Sequence, residues 1–331
     1  MFIVPTYTLA VLFCVITMLC WGSWANMQKL SAGHWRFELF YWDYAIGIFV
    51  LALLSAFTLG SNGEGGRSFA DDFAQAGLDN LLLAILGGIV FNASNILLGA
   101  AISIAGMAVA FPVGVGLALV IGVVVNYLDA PVGNPVTLFG GVALIVLAIL
   151  LNANAYRKNA DKSTSVPTKG LLLAIISGCM MGLFYKYVAQ SMFPDFHVPE
   201  PGKLSPYTAV VFFAVGVLGS NLIFNSLLMW KPFVGTPVSY SDYFRGSFRN
   251  HLMGVIGGII WCLGLSFSII ASDEAGPAIS YGLGQGATVV AAVWGIYVWR
   301  EFRNASQGTY RLLNAMLLCY VIGLGLLIVA R

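Results

Sequence analysis

Residues 87–116, GGIVFNASNILLGAAISIAGMAVAFPVGVG, lie without a gap over residues 257–286, GGIIWCLGLSFSIIASDEAGPAISYGLGQG. Gly87/Gly257, Gly88/Gly258, Ile89/Ile259, Ala101/Ala271, Ala105/Ala275, Gly106/Gly276, Gly114/Gly284 and Gly116/Gly286 are identical pairs, and Phe91/Trp261 and Phe111/Tyr281 are near matches. Each stretch is a pair of apolar runs parted by one Ala-Gly step. Chance similarity within a Gly/Ala/Ile-rich composition explains neither the gapless register nor the paired steps. The chain is therefore read as containing an internal repeat at a shift of 170 residues.

Outward from that pair, apolar runs long enough to cross a bilayer, about 20 residues each, recur along the whole chain. There are ten, at roughly 7–27, 40–60, 80–101, 105–128, 136–156, 170–192, 206–230, 250–271, 277–299 and 311–330. They are continuous rather than alternating, so helices are expected and barrel strands are not. The repeat then sets spans three and four on spans eight and nine. A shift of five spans reverses direction through the membrane, so the expected architecture is all-α and integral to the membrane, ten transmembrane helices in two inverted five-helix repeats, 1–160 and 161–331. Inverted repeats of this kind suit a carrier that exposes one midplane site alternately to each side.

The composition agrees. Hydrophobic residues make up 59% and Asp, Glu, Lys and Arg only 9%, against about 25% charged residues in soluble domains. That excludes a soluble enzyme and a disordered chain. A formal charge of +2 offers no polybasic surface, so no nucleic-acid partner is expected. The five cysteines lie in apolar runs with no CxxC pair and read as small hydrophobes. The Met1–Thr8 lead lacks the Lys or Arg of a signal-peptide n-region. No HExxH, GxSxG or clustered His/Asp pattern appears, so neither a metal, a cofactor nor a catalytic residue is expected. SNGEGGRS at 61–68 has Ser61 where a phosphate loop needs its first Gly and Arg67 where it needs Lys.

Lys and Arg gather in short cytoplasmic loops. The connections after spans one, three, five, seven and nine hold twelve of them, the other side only Arg67, Lys203 and Arg331. The chain is thus expected to lie in the cell (inner or plasma) membrane as a multi-pass protein, with both termini outside and the 157–169 loop cytoplasmic.

The first-span end CWGSWANMQKL (20–30), the following FELFYWDYAIG (37–47) and the Gly-rich fourth span resemble the drug/metabolite transporter superfamily, in its ureide permease, rhamnose and glucose/ribose uptake branch. The resemblance covers most of the chain and implies a secondary carrier of small polar nutrients, often proton-coupled. Plant ureide permeases carry a long central cytosolic loop with a nucleotide-binding-like motif; the short 157–169 loop has none. The expected function is thus import of a small neutral polar nutrient, a sugar or a ureide- or nucleobase-like solute, with proton or sodium as coupling ion. The alternatives are a drug or metabolite exporter of the same superfamily and a membrane-embedded transferase, the latter lacking the clustered acidic ligands it would need. Substrate and lipid bilayer are the partners expected; oligomeric state is left open.

Polar groups inside spans are costly and are site candidates by default. Lys186 of span six, at the depth of Tyr281 and Gln285 of span nine and next to Tyr185, either binds a polar substrate group or snorkels to the headgroups. Asp43, near one end of span two, either titrates for coupling or anchors in an aromatic belt with Tyr41, Trp42 and Tyr44. Asn92 and Asn95 with Trp261, and Trp24 with Asn26, offer donors, acceptors and stacking faces, or else hold helices together. Pro112 inside span four is a candidate helix kink.

Overall fold

The computed structural model describes residues 1–31, 35–63, 65–159, 167–300, 302–303 and 305–331, and of residues 107, 108 and 159 the backbone alone. The boundary at 160/161 and most of the 157–169 loop, Lys162 included, fall outside them. Among the described residues ten helices are long and apolar enough to cross a membrane: Tyr7–Leu30, Phe37–Phe57, Leu78–Ala105, Val109–Asp129, Pro135–Lys158, Thr168–Ser191, Pro206–Trp230, Phe248–Ala275, Pro277–Val298 and Gln307–Val329. These are spans one to ten. Among the described residues only one isolated bridge, Met192 to Leu204, has extended pairing.

Span starts are set by hydroxyl caps. Thr6, Ser205, Ser247 and Ser306 accept hydrogen bonds from Leu9, Thr208, Asn250 and Thr309 amides, satisfying donors that the first helical turn leaves free. Between spans three and four the chain turns at Gly106 with φ 79° and ψ 157°; between eight and nine it turns at Gly276 with φ 77° and ψ 149°. An L side chain rarely adopts that region, so the paired Ala-Gly steps are two copies of one tight turn.

Packing follows the same pairing. Span three packs on six and seven, span eight on one and two, span four on six and span nine on one, while spans five and ten pack on each other. At the three–seven crossing, a Cβ on Gly88 would meet the Phe213 carbonyl at 2.0 Å, and one on Gly216 the Ile85 carbonyl at 2.1 Å. At the eight–two crossing, a Cβ on Gly258 would clash with the Tyr44 carbonyl, and one on Gly47 with the Val255 carbonyl. Only glycine lets these backbones meet. Gly88 and Gly258 are repeat partners in sequence, and they do the same work at the two crossings.

The connections gather at two ends. One holds the termini, 58–77, 130–134 and 192–205, joined by Met1 to Gly65, Gly77 to Gly202 and Asn134 to Ala330 backbone bonds. The other holds 231–247 and the ends of spans one and nine, where Arg36 binds the Val234 and Thr236 carbonyls, Arg249 binds the Leu30 carbonyl and Lys29 lies over Trp299. Most of the Lys and Arg stand at this second end. The glycines of 61–68 wrap Met1 rather than forming a phosphate cradle.

Candidate functional site

Two helices break beside the middle of the molecule. Span one is interrupted at Trp24, between the helices Tyr7–Ser23 and Ala25–Leu30. Span nine is interrupted at Gln285 and Gly286, between Pro277–Gly284 and Ala287–Val293. The second break follows from sequence: Gly282, Gly284 and Gly286 leave the segment few side chains to hold a regular ladder. Broken helices at membrane depth are tolerated where they line a cavity.

A cavity lies between them, with ≈ 120 Å³ of room for water centres. Span one supplies Trp21 and Trp24, span three Phe91 and Asn95, span eight Trp261, and span nine Gln285, Thr288 and Ala291. Span four contributes Phe111, Gly114 and Ala118, and span six Ser177, Met181 and Phe184. The spacing 177, 181, 184 puts the last three on one helical face. The lining is aromatic: Trp21 and Trp261 stack with centroids 5.8 Å apart at 13°, and Phe91 lies 4.1 Å from Trp261.

The polar groups facing this space are few, and most are committed elsewhere. Trp21 donates Nε1 to the Trp261 carbonyl at 3.2 Å, Ser177 its hydroxyl to the Ser94 carbonyl at 2.7 Å, and Thr288 its hydroxyl to the Gln285 carbonyl at 3.1 Å. Asn95 donates Nδ2 to the Tyr41 hydroxyl at 3.2 Å, which leaves its Oδ1. The Gln285 carboxamide has no hydrogen-bond partner among the described residues. Among the described residues no Asp, Glu, Lys, Arg or His lines the cavity.

The expected site residues therefore divide. Trp24, Asn95, Trp261 and Gln285 meet around one space. Asn92 turns away and donates Nδ2 to the Ser220 hydroxyl at 2.8 Å, while Asn26 donates to the Ser23 carbonyl and accepts from Trp299 Nε1 at 2.7 Å. Tyr281, fully buried, donates to the Ala118 and Met181 carbonyls, both at 3.2 Å. Tyr185, equally buried, bonds the Ser268 carbonyl at 3.0 Å and the Ser280 hydroxyl. Along span nine the order is Pro277, Tyr281, Gln285, and along span four Asn126, Gly122, Ala118. The tyrosine level thus closes the cavity toward the termini-bearing end, with the Tyr281 ring seated against Gly122.

Beyond that closure lies a second cavity of ≈ 660 Å³, lined by Asn126, Asp129, Gln190, Glu200, Lys203 and Asp273 among others. Lys186 belongs to this side: its Nζ pairs with Asp129 Oδ1 at 3.0 Å, and Gln190 donates to Asp129 Oδ2 at 2.7 Å. Lys186 shares no ligand space with Gln285. Depth along a helix gives height but not rotation, and Lys186 is turned about 100° from Tyr185.

Asp43 stands apart from both cavities. Its carboxylate, with 4% of the side chain exposed, accepts from the Tyr243 hydroxyl at 2.6 Å and meets His251 Nδ1 at 2.9 and 3.1 Å. Tyr243 lies on the short helix Tyr240–Phe244 in the connection after span seven; burial and the neighbouring carboxylate raise its pKa above the ordinary range, so the phenol is the donor. Pro112 lies within its helix beside cavity-lining Phe111. Among the described residues no group of three or more His, Cys, Asp and Glu is placed to hold a metal ion, and all five cysteines are free thiols.

Known proteins of the same architecture are recognisable at the sequence level. Ureide permease 1 of Arabidopsis thaliana is 23% identical over 95% of this chain and 94% of its own length, and Ureide permease 4 of the same plant 24% identical over 99% and 98%. The glucose uptake protein GlcU of Bacillus subtilis is 24% identical over 68% of this chain and 71% of its own. One solved crystal structure superposes with a TM-score of 0.59 at 16% identity over 96% of both chains, a likeness of fold. The ureide permease family pattern matches residues 40–167 and 158–330, and on that coverage the chain belongs to the ureide permease family, transporters rather than enzymes.

Proposed function

We propose that this transporter imports a small, flat, uncharged solute with an amide- or ureide-type edge, by alternating access of the central cavity. The polar census of that cavity carries the reading. One free carboxamide, Gln285, and one free carbonyl, Asn95 Oδ1, stand beside an indole stack. A carboxamide pairs its donor and acceptor with the acceptor and donor of a ureido group, and the ring lies against the aromatic wall of Trp24, Phe91 and Trp261. A hexose would bury several hydroxyls against these amide groups and the indole N–H groups of the wall, and each one left unsatisfied costs roughly 1–3 kcal/mol. A fixed charge on the substrate would meet no counter-charge.

An inverted-repeat reading, and with it alternating access, is supported by the shared backbone geometry of Gly106 and Gly276 and by the matching glycine crossings. We propose the proton as coupling ion, bound at the contact between Asp43 of span two and His251 of span eight, where a carboxylate is held in reach of an imidazole. Pro112 is proposed to bend span four where Phe111 enters the cavity. By the Lys/Arg bias the termini lie outside the cell membrane and the 231–247 connection inside; reporters fused after Gly202 and after Thr236 should read external and cytoplasmic, and the reverse pattern would overturn that orientation.

A sugar substrate is the second reading, favoured by the likeness to a glucose uptake protein and by the indole faces, on which sugars also stack. Radiolabelled uracil, hydantoin and glucose taken up by vesicles, each competed with the other two, separate the readings. Saturable uracil or hydantoin uptake unaffected by glucose supports the first; glucose as the best competitor supports the second.

A further inference from the structure

We propose, building on the importer reading above, that His251 is the proton-binding residue of this chain, that Asp43 is its fixed counter-charge, and that its protonation state sets ligand affinity in the central cavity. The site is built rather than incidental. Asp43 belongs to span two and His251 to span eight, the pair whose backbones touch at Gly47 and Gly258. Nδ1 of the imidazole faces the carboxylate at 2.9 Å, so the neutral ring carries its proton there and Nε2 receives the incoming one. The ring is boxed by Trp35, edge-on at 5.3 Å, by Tyr243 at 4.8 Å, and by Gly246, where a Cβ would lie 2.6 Å from Nε2. Its side chain keeps 27% exposure, while Asp43 keeps 4%. Protons therefore arrive at the histidine from the mouth that bears most of the Lys and Arg, and the carboxylate behind it stays dry.

Other charged groups near this junction are engaged elsewhere or stand further out. Glu38 of span two is paired with Arg36, Arg249 of span eight reaches the Leu30 carbonyl, and Lys29 of span one lies over Trp299. Asp242, on the helix that carries Tyr243, caps Ser239, and Arg245 follows that helix. Span seven brings Asn225 and Met229 to this side and no charge within its helix, Lys231 following it. Among the described residues the titratable groups that contact Asp43 are Tyr243 and His251.

From this junction to the cavity the link runs along the backbone of span two and then through side-chain contacts of Tyr41 and Tyr44. Asp43 is flanked in span two by Tyr41 and Tyr44. The Tyr41 hydroxyl holds Asn95, and the Tyr44 ring lies 4.8 Å from Trp24 and 6.4 Å from Trp261, three of the cavity's walls. Before protonation the buried carboxylate faces neutral donors; afterwards it faces an imidazolium, and the attraction across the two–eight crossing strengthens. Any shift of span two at that crossing moves the partners of Asn95, Trp24 and Trp261 together.

Two measurements test this. The chain has three histidines, His34, His197 and His251, so imidazole titration by NMR on purified protein, assigned by His251→Gln, needs no substrate. The His251 resonance is expected to respond to pH, and that response to change in Asp43→Asn. A resonance that does not move over the pH range in which the protein stays folded would overturn the proposal. The second reads equilibrium binding of uracil over the same range, or of glucose if the substrate test favours the sugar. Wild type should change affinity by about fivefold or more, His251→Gln should be flat with pH, and Tyr243→Phe should keep a slope with a displaced midpoint. A purely structural histidine would lower affinity at every pH and leave the slope, and that result rejects the coupling. Should no probe bind, the substrate reading fails while the titration still decides the proton site.

Discussion

The two cavities of this transporter occupy the same bundle and differ in chemistry. The central one has aromatic walls, two free amide-type groups and no charge; the one nearer the termini has Asp129, Lys186, Glu200, Lys203 and Asp273 on or beside it. The difference follows from desolvation. An ion pair is tolerated where both partners keep contact with water, as Lys186 and Asp129 do at 29% and 31% exposure, whereas a charge buried among aromatic walls would cost several kcal/mol unless paired. A neutral solute needs neutral recognition, and the central cavity offers it. The charged mouth is built for water and access.

Five substitutions press on this contrast. Trp261→Ala should have the largest effect, removing the common member of the indole and phenyl stack; a buried Trp truncated to Ala costs about 3–5 kcal/mol, read as a fall in thermal unfolding temperature in detergent. An unaltered unfolding temperature would mean that the aromatic wall is not part of the packed core. Gln285→Leu should lower ligand affinity by about five- to 150-fold, the loss of one buried hydrogen-bonding partner of roughly 1–3 kcal/mol, with thermal stability retained. Gly88→Ala and Gly258→Ala, at equivalent crossings, should destabilise by similar amounts of about 1–3 kcal/mol through overpacking; strongly unequal costs would count against equivalent halves. Lys186→Gln should change stability by less than about 1 kcal/mol, as befits a partly exposed pair, and leave affinity untouched. A large affinity loss there would move recognition to the charged mouth.

The fold was legible because apolar run length is a one-dimensional signal. Ten runs gave ten spans, and the paired Ala-Gly steps became two turns of one geometry at Gly106 and Gly276. The site was legible in part. Trp24, Asn95, Trp261 and Gln285 meet, but Asn92, three residues from Asn95, faces Ser220 instead, because helical rotation and neighbouring spans decide which side chain sees the cavity. Lys186 was placed at the right height and given the wrong neighbours for the same reason. Ser177, Met181 and Phe184 went unnoticed, although their 4-then-3 spacing marks a shared face. The partners of Asp43, His251 and Tyr243, lie about 200 residues away in sequence, and no local pattern announces a contact of that range. Asn221, buried with both amide atoms unpartnered among the described residues, has no account from either sequence or packing.

The central claim is that an uncharged cavity around Trp261 and Gln285 selects a flat donor–acceptor solute. Its most direct test is saturable uptake of radiolabelled uracil into vesicles holding wild type, Gln285→Leu or Lys186→Gln, each competed with unlabelled hydantoin and glucose. The account predicts saturable uptake in wild type and Lys186→Gln, competed by hydantoin and not by glucose, and a raised half-saturation concentration in Gln285→Leu. Uptake that is linear and uncompeted in wild type, or that survives Gln285→Leu unchanged while failing in Lys186→Gln, would contradict it.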